Sequence, residues 1–511
     1  MRSPTGGGPG TPATRPAIRP RYSTAAPGSW HDSRNGPNGA GLRAGRRRAR
    51  RTGPVHREHP ARHDSRPVVT KAQHHVLDTL GAALAGSAST ETTALLQLLA
   101  ASEPGGAGTV WGTGPRVAPR AAALVNGVSA HALELDDAGG CDHSGAVVVP
   151  AALAAAEVAE HPVSGARLLA AVIVGYDVAR RVLEACGGYA PHNEAGWHST
   201  GTCGPFGAAA AAAAVLGLGP DSTAHALALS ASFSGGIWAF VHDGAMSKRL
   251  HAGRAAEAGL TAALAARHGI TGPRGVFDDT WGGFLRTIAP GSATPAALTA
   301  RLGDRWCVSR CSIKPYASCR STHSSVDAVA GLLADHELGP DDVASVHVRL
   351  SAFIHGMCGA AECGTLAAAQ LSLPYAVAVR VALGTADLTA YSAESRASPA
   401  VRSVLDRITL EVDESMTGDT EPVITLTTRT GACHTGQVTD PLGSPTNPLD
   451  SAAVTAKFHG LATRVLDPAV AHTVADTVRA LPDLPDVRVL LSALATTAPG
   501  PGAPTGAQGR G

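Results

Sequence analysis

His198-Ser-Thr-Gly-Thr-Cys-Gly-Pro-Phe-Gly-Ala-Ala-Ala-Ala-Ala-Ala-Ala-Val-Leu-Gly-Leu-Gly-Pro220 holds seven consecutive alanines, Ala208–Ala214, between clear stop signals. Alanine is the strongest helix former, and a helix without bulky side chains lets its neighbours approach closely. Gly217, Gly219 and Pro220 end the helix, and Asp221-Ser222 can open the next. Hydrophobic residues make up 44% of the 511 but aromatics only 4%, so the core is filled by small side chains on helices rather than by an aromatic-rich sandwich. The fold class is mainly α, in a chain long enough for more than one domain.

Downstream, Asp243-Gly-Ala-Met-Ser-Lys-Arg-Leu-His-Ala-Gly-Arg-Ala-Ala-Glu-Ala-Gly259 gathers cations and an imidazole before a run of small residues. Asp243-Gly244 is turn chemistry, and a closely packed helix is expected from Gly253 onward. Lys248, Arg249, His251 and Arg254 then stand at or before a helix N-terminus, where the macrodipole disfavours cations unless an anion is held there. A bound anionic ligand resolves the conflict; solvated surface charges are the plain alternative.

Upstream, helical segments over 118–135 and 150–160 flank the polar loop Asp136-Asp-Ala-Gly-Gly-Cys-Asp-His-Ser-Gly145. Asp136, Asp137, Asp142 and His143 are metal-ligand types, but no His-x-x-x-His or Glu-rich helix completes a coordination sphere, so no metal is expected and His143 is read as catalytic or orienting. His198 lies in a second loop of small residues, whose backbone N–H groups can meet an anion. Three such loops converging on one cleft would give a site lined by His143, His198 and Lys248.

Period-two alternation marks strands at 343–351 and in parts of 407–413 and 423–429, with a turn at Thr430-Gly431 before a further extended piece. Helical pattern returns at 451–463 and 468–480. Residues 1–67 are Pro/Gly-rich without hydrophobic periodicity and contain Arg46-Arg-Arg-Ala-Arg-Arg51. Fourteen arginines against three acids give this tail +11 and leave −10 for the rest of a chain whose formal charge is +1. It reads as a disordered basic tail, as does the Pro/Gly/Ala/Thr-rich stretch 494–511 without the charge. No aromatics interleave the arginines to stack on bases, so nucleic acid is not an expected partner.

Nine cysteines, an odd number without a Cys-x-x-Cys pair, argue against a disulfide framework, a zinc ribbon or an iron–sulfur cluster. Gly105-Gly-Ala-Gly108 does not join a strand to a helix as dinucleotide binding requires. No cofactor is expected. Neither a signal peptide nor a run of about eighteen apolar residues is legible, so a cytoplasmic protein without membrane association is expected.

The words His131-Ala-Leu-Glu-Leu-Asp-Asp137, His143-Ser-Gly-Ala-Val-Val-Val-Pro150, Gly196-Trp-His-Ser-Thr-Gly-Thr202, Asp243-Gly-Ala-Met-Ser-Lys-Arg-Leu-His-Ala-Gly-Arg254 and Ile313-Lys-Pro-Tyr-Ala-Ser-Cys-Arg320 resemble, in the same order, the MmgE/PrpD family. Members dehydrate, decarboxylate or epimerise small carboxylic acids, 2-methylcitrate and cis-aconitate among them. The resemblance implies a large all-helical domain (68–306, returning at 441–493) with an inserted smaller α/β lid (307–440), and a homodimer. It places catalytic groups at His143, His198 and Lys248, and substrate-binding groups at Glu134, Lys314 and Cys319. Glu134 stands where the decarboxylase has Asp, Cys319 where it has His, and the loop before His143 is one residue shorter; these departures count against cis-aconitate decarboxylation.

Proton abstraction beside a carboxylate is the chemistry such residues support. Lysines and imidazolium groups in a water-poor cleft neutralise the developing enediolate, and histidine can serve as base or acid. The expected function is a lyase of the carbon–oxygen, dehydratase-like kind on a small di- or tricarboxylate such as a 2-methylcitrate-like acid. Epimerisation or decarboxylation of a related acid, and a non-catalytic ligand-binding or scaffold protein, are the alternatives. Lys314, at the entry to the lid, is expected to capture a carboxylate on closure.

Overall fold

The computed structural model describes residues 66–102 and 105–495. The expected tails fall almost wholly outside them, though the first helix already opens at Arg66 and the last ends at Leu494. Helices dominate. The first half is built from α1 (Arg66–Gly86), α2 (Thr90–Ser102), α3 (Pro119–His131), α4 (Ser144–Glu157), α5 (Gly165–Ala185), α6 (Tyr189–Glu194), α7 (Ser199–Leu216), α8 (Pro220–Ser230) and α9 (Ser247–Arg267). The alanine run lies inside α7, which is buried along nearly all its length and ends on Gly217 in the left-handed conformation at φ 69°. Two helices start earlier than their sequence patterns suggest. α4 begins at Ser144 and runs through Pro150 because nearly all of it is buried, and α9 begins at Ser247, where Lys248 and Arg249 are buried against Glu134.

Small residues are spent where helix backbones touch. A Cβ on Gly253 of α9 would lie 2.6 Å from Cγ2 of Val128, and one on Gly127 of α3 would lie 2.8 Å from Cα of Gly253. These two glycines set how closely α3 and α9 approach. Gly253→Val is expected to destabilise the protein by about 2–3 kcal/mol, the cost of overpacking a rigid contact. Thermal unfolding followed by circular dichroism checks it, and an unchanged melting temperature would show that the contact gives way.

The main core joins α1, α4, α5, α7 and α9 to the returning helices Ser451–Ala462, Pro468–Arg479 and Arg488–Leu494. A second apolar cluster surrounds a four-stranded sheet. Beyond the two-residue strands β1 (Gly108–Thr109) and β2 (Arg116–Val117), which the sequence patterns miss, the chain forms β3 (Val343–Leu350), β4 (Ile408–Val412), β5 (Val423–Thr428) and β6 (Cys433–Gln437). Their order is β4-β3-β5-β6, with β3 parallel to β4 and antiparallel to β5. A parallel pair needs a long crossover, and the helices between Ala352 and Leu405 supply it. Val346, Val348, Ile424 and Leu426 all turn to the buried face. No helix among the described residues is long and apolar enough to cross a membrane.

Candidate active site

His143 and His198 occupy the N-cap positions of α4 and α7. The loop that delivers His143 is pinned by Asp137. Its carboxylate accepts from the Gly145 amide (2.9 Å) and the Tyr176 hydroxyl (2.6 Å) and pairs with Nδ1 of His75 (2.9 Å), so α1, α4 and α5 all hold it. From the far side, the returning helix brings the Lys457 ammonium to the Leu135 carbonyl at 2.6 Å. Two loop residues other than glycine are left-handed, Glu134 at φ 53° and Asp142 at φ 91°. Such conformations persist where the surroundings over-determine them, and here they aim two carboxylates.

The loop of His198 is fixed by a different device. Pro205 in α7 cannot donate to the Gly201 carbonyl, and the Gly235 amide takes that acceptor at 3.1 Å. The His198 amide donates to Gly236 O (3.0 Å) and the Trp238 amide to Gly196 O (3.1 Å). Trp238 thereby packs edge-on against the His198 ring, with centroids 5.1 Å apart.

Glu134 is wholly buried and is the hub of the charged cluster. The Lys248 ammonium, Nη1 of Arg249 (2.9 Å) and Nζ of Lys314 (3.3 Å) all converge on its carboxylate. Burial opposes its ionisation, but these cations, Lys248 foremost, hold the carboxyl well below its usual range. Lys314 is raised in turn: burial works against its charge and Glu134 outweighs it. The anion expected at the N-terminus of α9 is therefore the protein's own Glu134, which corrects the ligand reading made from sequence. Lys248 and Arg249 lie in the first turn of that helix, not before it. One carboxylate facing three cations still leaves a positive surplus.

Asp136 is also fully buried, bonded to Nδ1 of His131 (3.0 Å) and facing Nδ1 of His143 (3.2 Å). His143 directs the same nitrogen at the Asp137 carbonyl (3.0 Å), while its Nε2 is 3.3 Å from Oδ2 of Asp142. Burial alone would strip this imidazole of its proton, but Asp142 and Asp136 outweigh it and raise its pKa above 6.5. His198 behaves oppositely. Burial first, then His251 and Lys248, hold it well below 6.5. Its Nδ1 shares a hydrogen bond with Nδ1 of His251 (2.9 Å), and its buried Nε2 has no hydrogen-bond partner among the described residues, standing 3.8 Å from Oδ2 of Asp142. The surroundings thus push the two histidines in opposite directions, His143 toward its protonated form and His198 toward its neutral one.

These groups border a cavity of about 270 Å³, at the small end of ligand pockets. Asp142, His143, Trp238 and Lys248 form one side, and Cys319, Arg320 and residues 418–421 close it from the sheet side. Of the residues expected from sequence, His143, Lys248 and Cys319 line this cavity; His198 is one layer back behind Asp142, and Glu134 and Lys314 are turned to each other beneath it. The Cys319 thiol is lowered to about 6, chiefly through a hydrogen bond with Cys358 and, against burial, by the nearby Lys248.

The MmgE/PrpD N-terminal domain profile matches residues 55–296, and the C-terminal domain profile matches residues 316–483. The chain belongs to the MmgE/PrpD family. It is 32% identical to the cis-aconitate decarboxylase-like protein oryM of Aspergillus oryzae over 67% of this chain and 75% of that one. It is 29% identical to the cis-aconitate decarboxylase of Aspergillus terreus and 28% to that of Homo sapiens, in both cases over 84% of this chain and 91% of the relative.

Within this MmgE/PrpD site, sequence reasoning assigned no role to Gln370 or Trp238, no hydrogen bond to His251, and only a metal-type reading to Asp142. Gln370 braces Arg249 (3.1 Å) and the Leu133 carbonyl (2.7 Å) from a helix 121 and 237 residues further along the chain. No local pattern could announce it. Asp142 stood beside a sequence-flagged histidine, and its missed signal was a non-glycine residue in a Gly/Cys/Asp turn next to that histidine. Two groups of described residues offer three ligand atoms within 4.8 Å, His131–Asp136–His143 and Asp142–His143–His198. The first is occupied by its own hydrogen bonds; the second reaches the cavity through Asp142 and His143.

Proposed function

We propose that this protein is a lyase of dehydratase type that removes a proton next to a carboxylate of a small di- or tricarboxylate and expels a β-hydroxyl. The observation that carries this reading is the placement of two imidazoles in opposite surroundings, His143 between the carboxylates of Asp142 and Asp136, which raise its pKa, and His198 buried against His251, which lowers its own, as the acid and the base of an elimination require. The substrate carboxylate is drawn to Lys248 and the cationic surplus around Glu134. The Asp142 carboxylate, on the cavity wall, takes the proton from carbon and passes it to Nε2 of His198 behind it. Lys248 neutralises the enediolate as it forms, and His143 gives its Nε2 proton to the departing hydroxyl, which leaves as water. Product release follows return of a proton from His198 to His143 through solvent.

The stereochemistry follows from the same distances. One atom each from Asp142, His143 and His198 lies within 4.8 Å of the other two, too close to sandwich a reacting carbon at about 3 Å on either side. Base and acid share one wall, which favours syn elimination and disfavours epimerisation, where they must face each other. Dehydration of stereospecifically deuterated hydroxy acids tests this, with syn loss expected; inversion at carbon without a new double bond would replace the reading by epimerisation. The names of the relatives favour decarboxylation as a second reading. That reaction needs only a proton donor to carbon, so release of carbon dioxide that survives His198→Ala would establish it.

The pH dependence is fixed by the two shifts. His198 must be neutral, so the acid limb of kcat/KM falls well below pH 6.5; His143 must keep its proton, so the alkaline limb lies above 6.5. Asp142→Asn removes the leading cause of the raised His143 value and should move the alkaline midpoint downward. A pH–rate profile of both proteins checks it, and an alkaline limb that does not move would separate Asp142 from His143. The expected homodimer enters here as a further proposal: light scattering should return twice the 51.4 kDa chain mass.

A further inference from the structure

The grouping of Asp142, His143 and His198 meets the requirements of a metal centre more fully than acid–base chemistry demands. Oδ2 of Asp142 is 3.3 Å from Nε2 of His143 and 3.8 Å from Nε2 of His198, and no ligand atom is more than 4.8 Å from the others. Around a tetrahedral ion with bonds of about 2.0–2.2 Å, ligand atoms stand about 3.4 Å apart. Two edges of that tetrahedron are nearly in place, and the third, within 4.8 Å, closes with a movement of at most about 1.4 Å.

The outer nitrogens are held as they are in metal sites, where a ligating imidazole spends its other nitrogen on a carbonyl, a carboxylate or another fixed group. Nδ1 of His143 is engaged by the Asp137 carbonyl and Asp136, and Nδ1 of His198 by His251. Nε2 of His198 is fully buried without a hydrogen-bond partner among the described residues, and it faces the Asp142 carboxylate. Asp142 is held at φ 91°, with its carboxylate between the two imidazoles. Asp142 and His143 line the cavity, which would give a fourth position access to water or a substrate carboxylate. Lys248 on the cavity wall and Lys314 near His143 work against a cation, and the carboxylates of Asp142 and Asp136, which face the imidazoles directly, offset them.

We propose that Asp142, His143 and His198 form a three-ligand site for a divalent transition-metal ion, zinc above all, and that occupation of the site arrests catalysis. Two imidazoles and one carboxylate select zinc, cobalt or nickel over magnesium and calcium. Each imidazole donates the lone pair of Nε2 to the ion. Both Nε2 atoms must be free of a proton to bind the ion, so affinity falls as the pH is lowered. The arrest rests on the acid–base reading given above; the binding does not.

The test is a titration of the metal-stripped full chain with Co²⁺, followed by visible absorption, which is intense for a four- or five-coordinate ion and faint for a six-coordinate one. One equivalent giving intense bands, displaced by Zn²⁺, is the expected result. Asp142→Gly should abolish the bands, and glycine accepts the left-handed backbone there, so loss of the ligand is not confounded with loss of the fold. His198→Ala should abolish them as well, whereas Lys248→Ala should bind Co²⁺ at least as tightly. Bands that persist in both Asp142→Gly and His198→Ala, or no intense bands in the unaltered protein, would overturn the site. If the ion binds as described and no acid is turned over with or without it, the lyase reading fails and the metal site stands.

Discussion

Replacing Lys248 by alanine is expected to lower kcat by about a hundredfold or more with little change in KM, as when one contact made mainly in the transition state is lost. The ammonium is 2% exposed, lines the cavity and shares Glu134 with Arg249 and Lys314. Its removal takes away the one cationic group of the Glu134 cluster that borders the cavity. Lys314→Ala should behave differently. Its ammonium lies beneath Glu134, bonded to the carboxylate and to the Glu134 carbonyl at 3.2 Å. Lys314 therefore attracts ground state and transition state alike, through charge rather than contact, and its loss should raise KM more than it lowers kcat. Steady-state kinetics of both variants separate the two roles, and a Lys248→Ala enzyme with wild-type kcat would remove Lys248 from the chemistry.

Glu134→Gln is expected to cost about 3–5 kcal/mol of stability, because it leaves three buried cations facing one another without their anion. The sign of the pH dependence follows. The Glu134 carboxyl is depressed below 4.5, so its contribution is complete above that value and is lost as the pH falls through the lowered folded value. Wild type and variant should therefore converge in acid. Urea unfolding at several pH values checks this, with Glu134→Gln/Lys248→Met recovering part of the loss. A difference below about 1 kcal/mol at neutral pH would mean that water, not Glu134, neutralises the cluster.

Much of the helical architecture is legible locally. The alanine run, the period-two strands and the return of helical pattern after residue 450 each follow from short-range periodicity, and the structure places all three within a residue or two. Where the patterns misplace an element, as at the starts of α4 and α9, burial against distant segments has overridden propensity. The site divides along the same line. His143, Lys248 and Cys319 sit in short motifs and reach the cavity. The roles of Glu134, Gln370 and His251 come from contacts between distant segments, such as Lys457 on the Leu135 carbonyl, and no single stretch encodes them. Lys314 shows the limit most directly: its position before Pro315 suggests a lid residue, while its partner is an acid 180 residues earlier.

Turnover of a panel of β-hydroxy di- and tricarboxylates in deuterated water, followed together by ultraviolet absorbance and proton NMR, tests the central claim most directly. The expected result is an unsaturated acid formed with loss of water from at least one member of the panel, and none from the His198→Ala protein. Exchange of the proton beside the carboxylate with no unsaturated product would contradict the elimination, as would an unsaturated product formed equally well without His198.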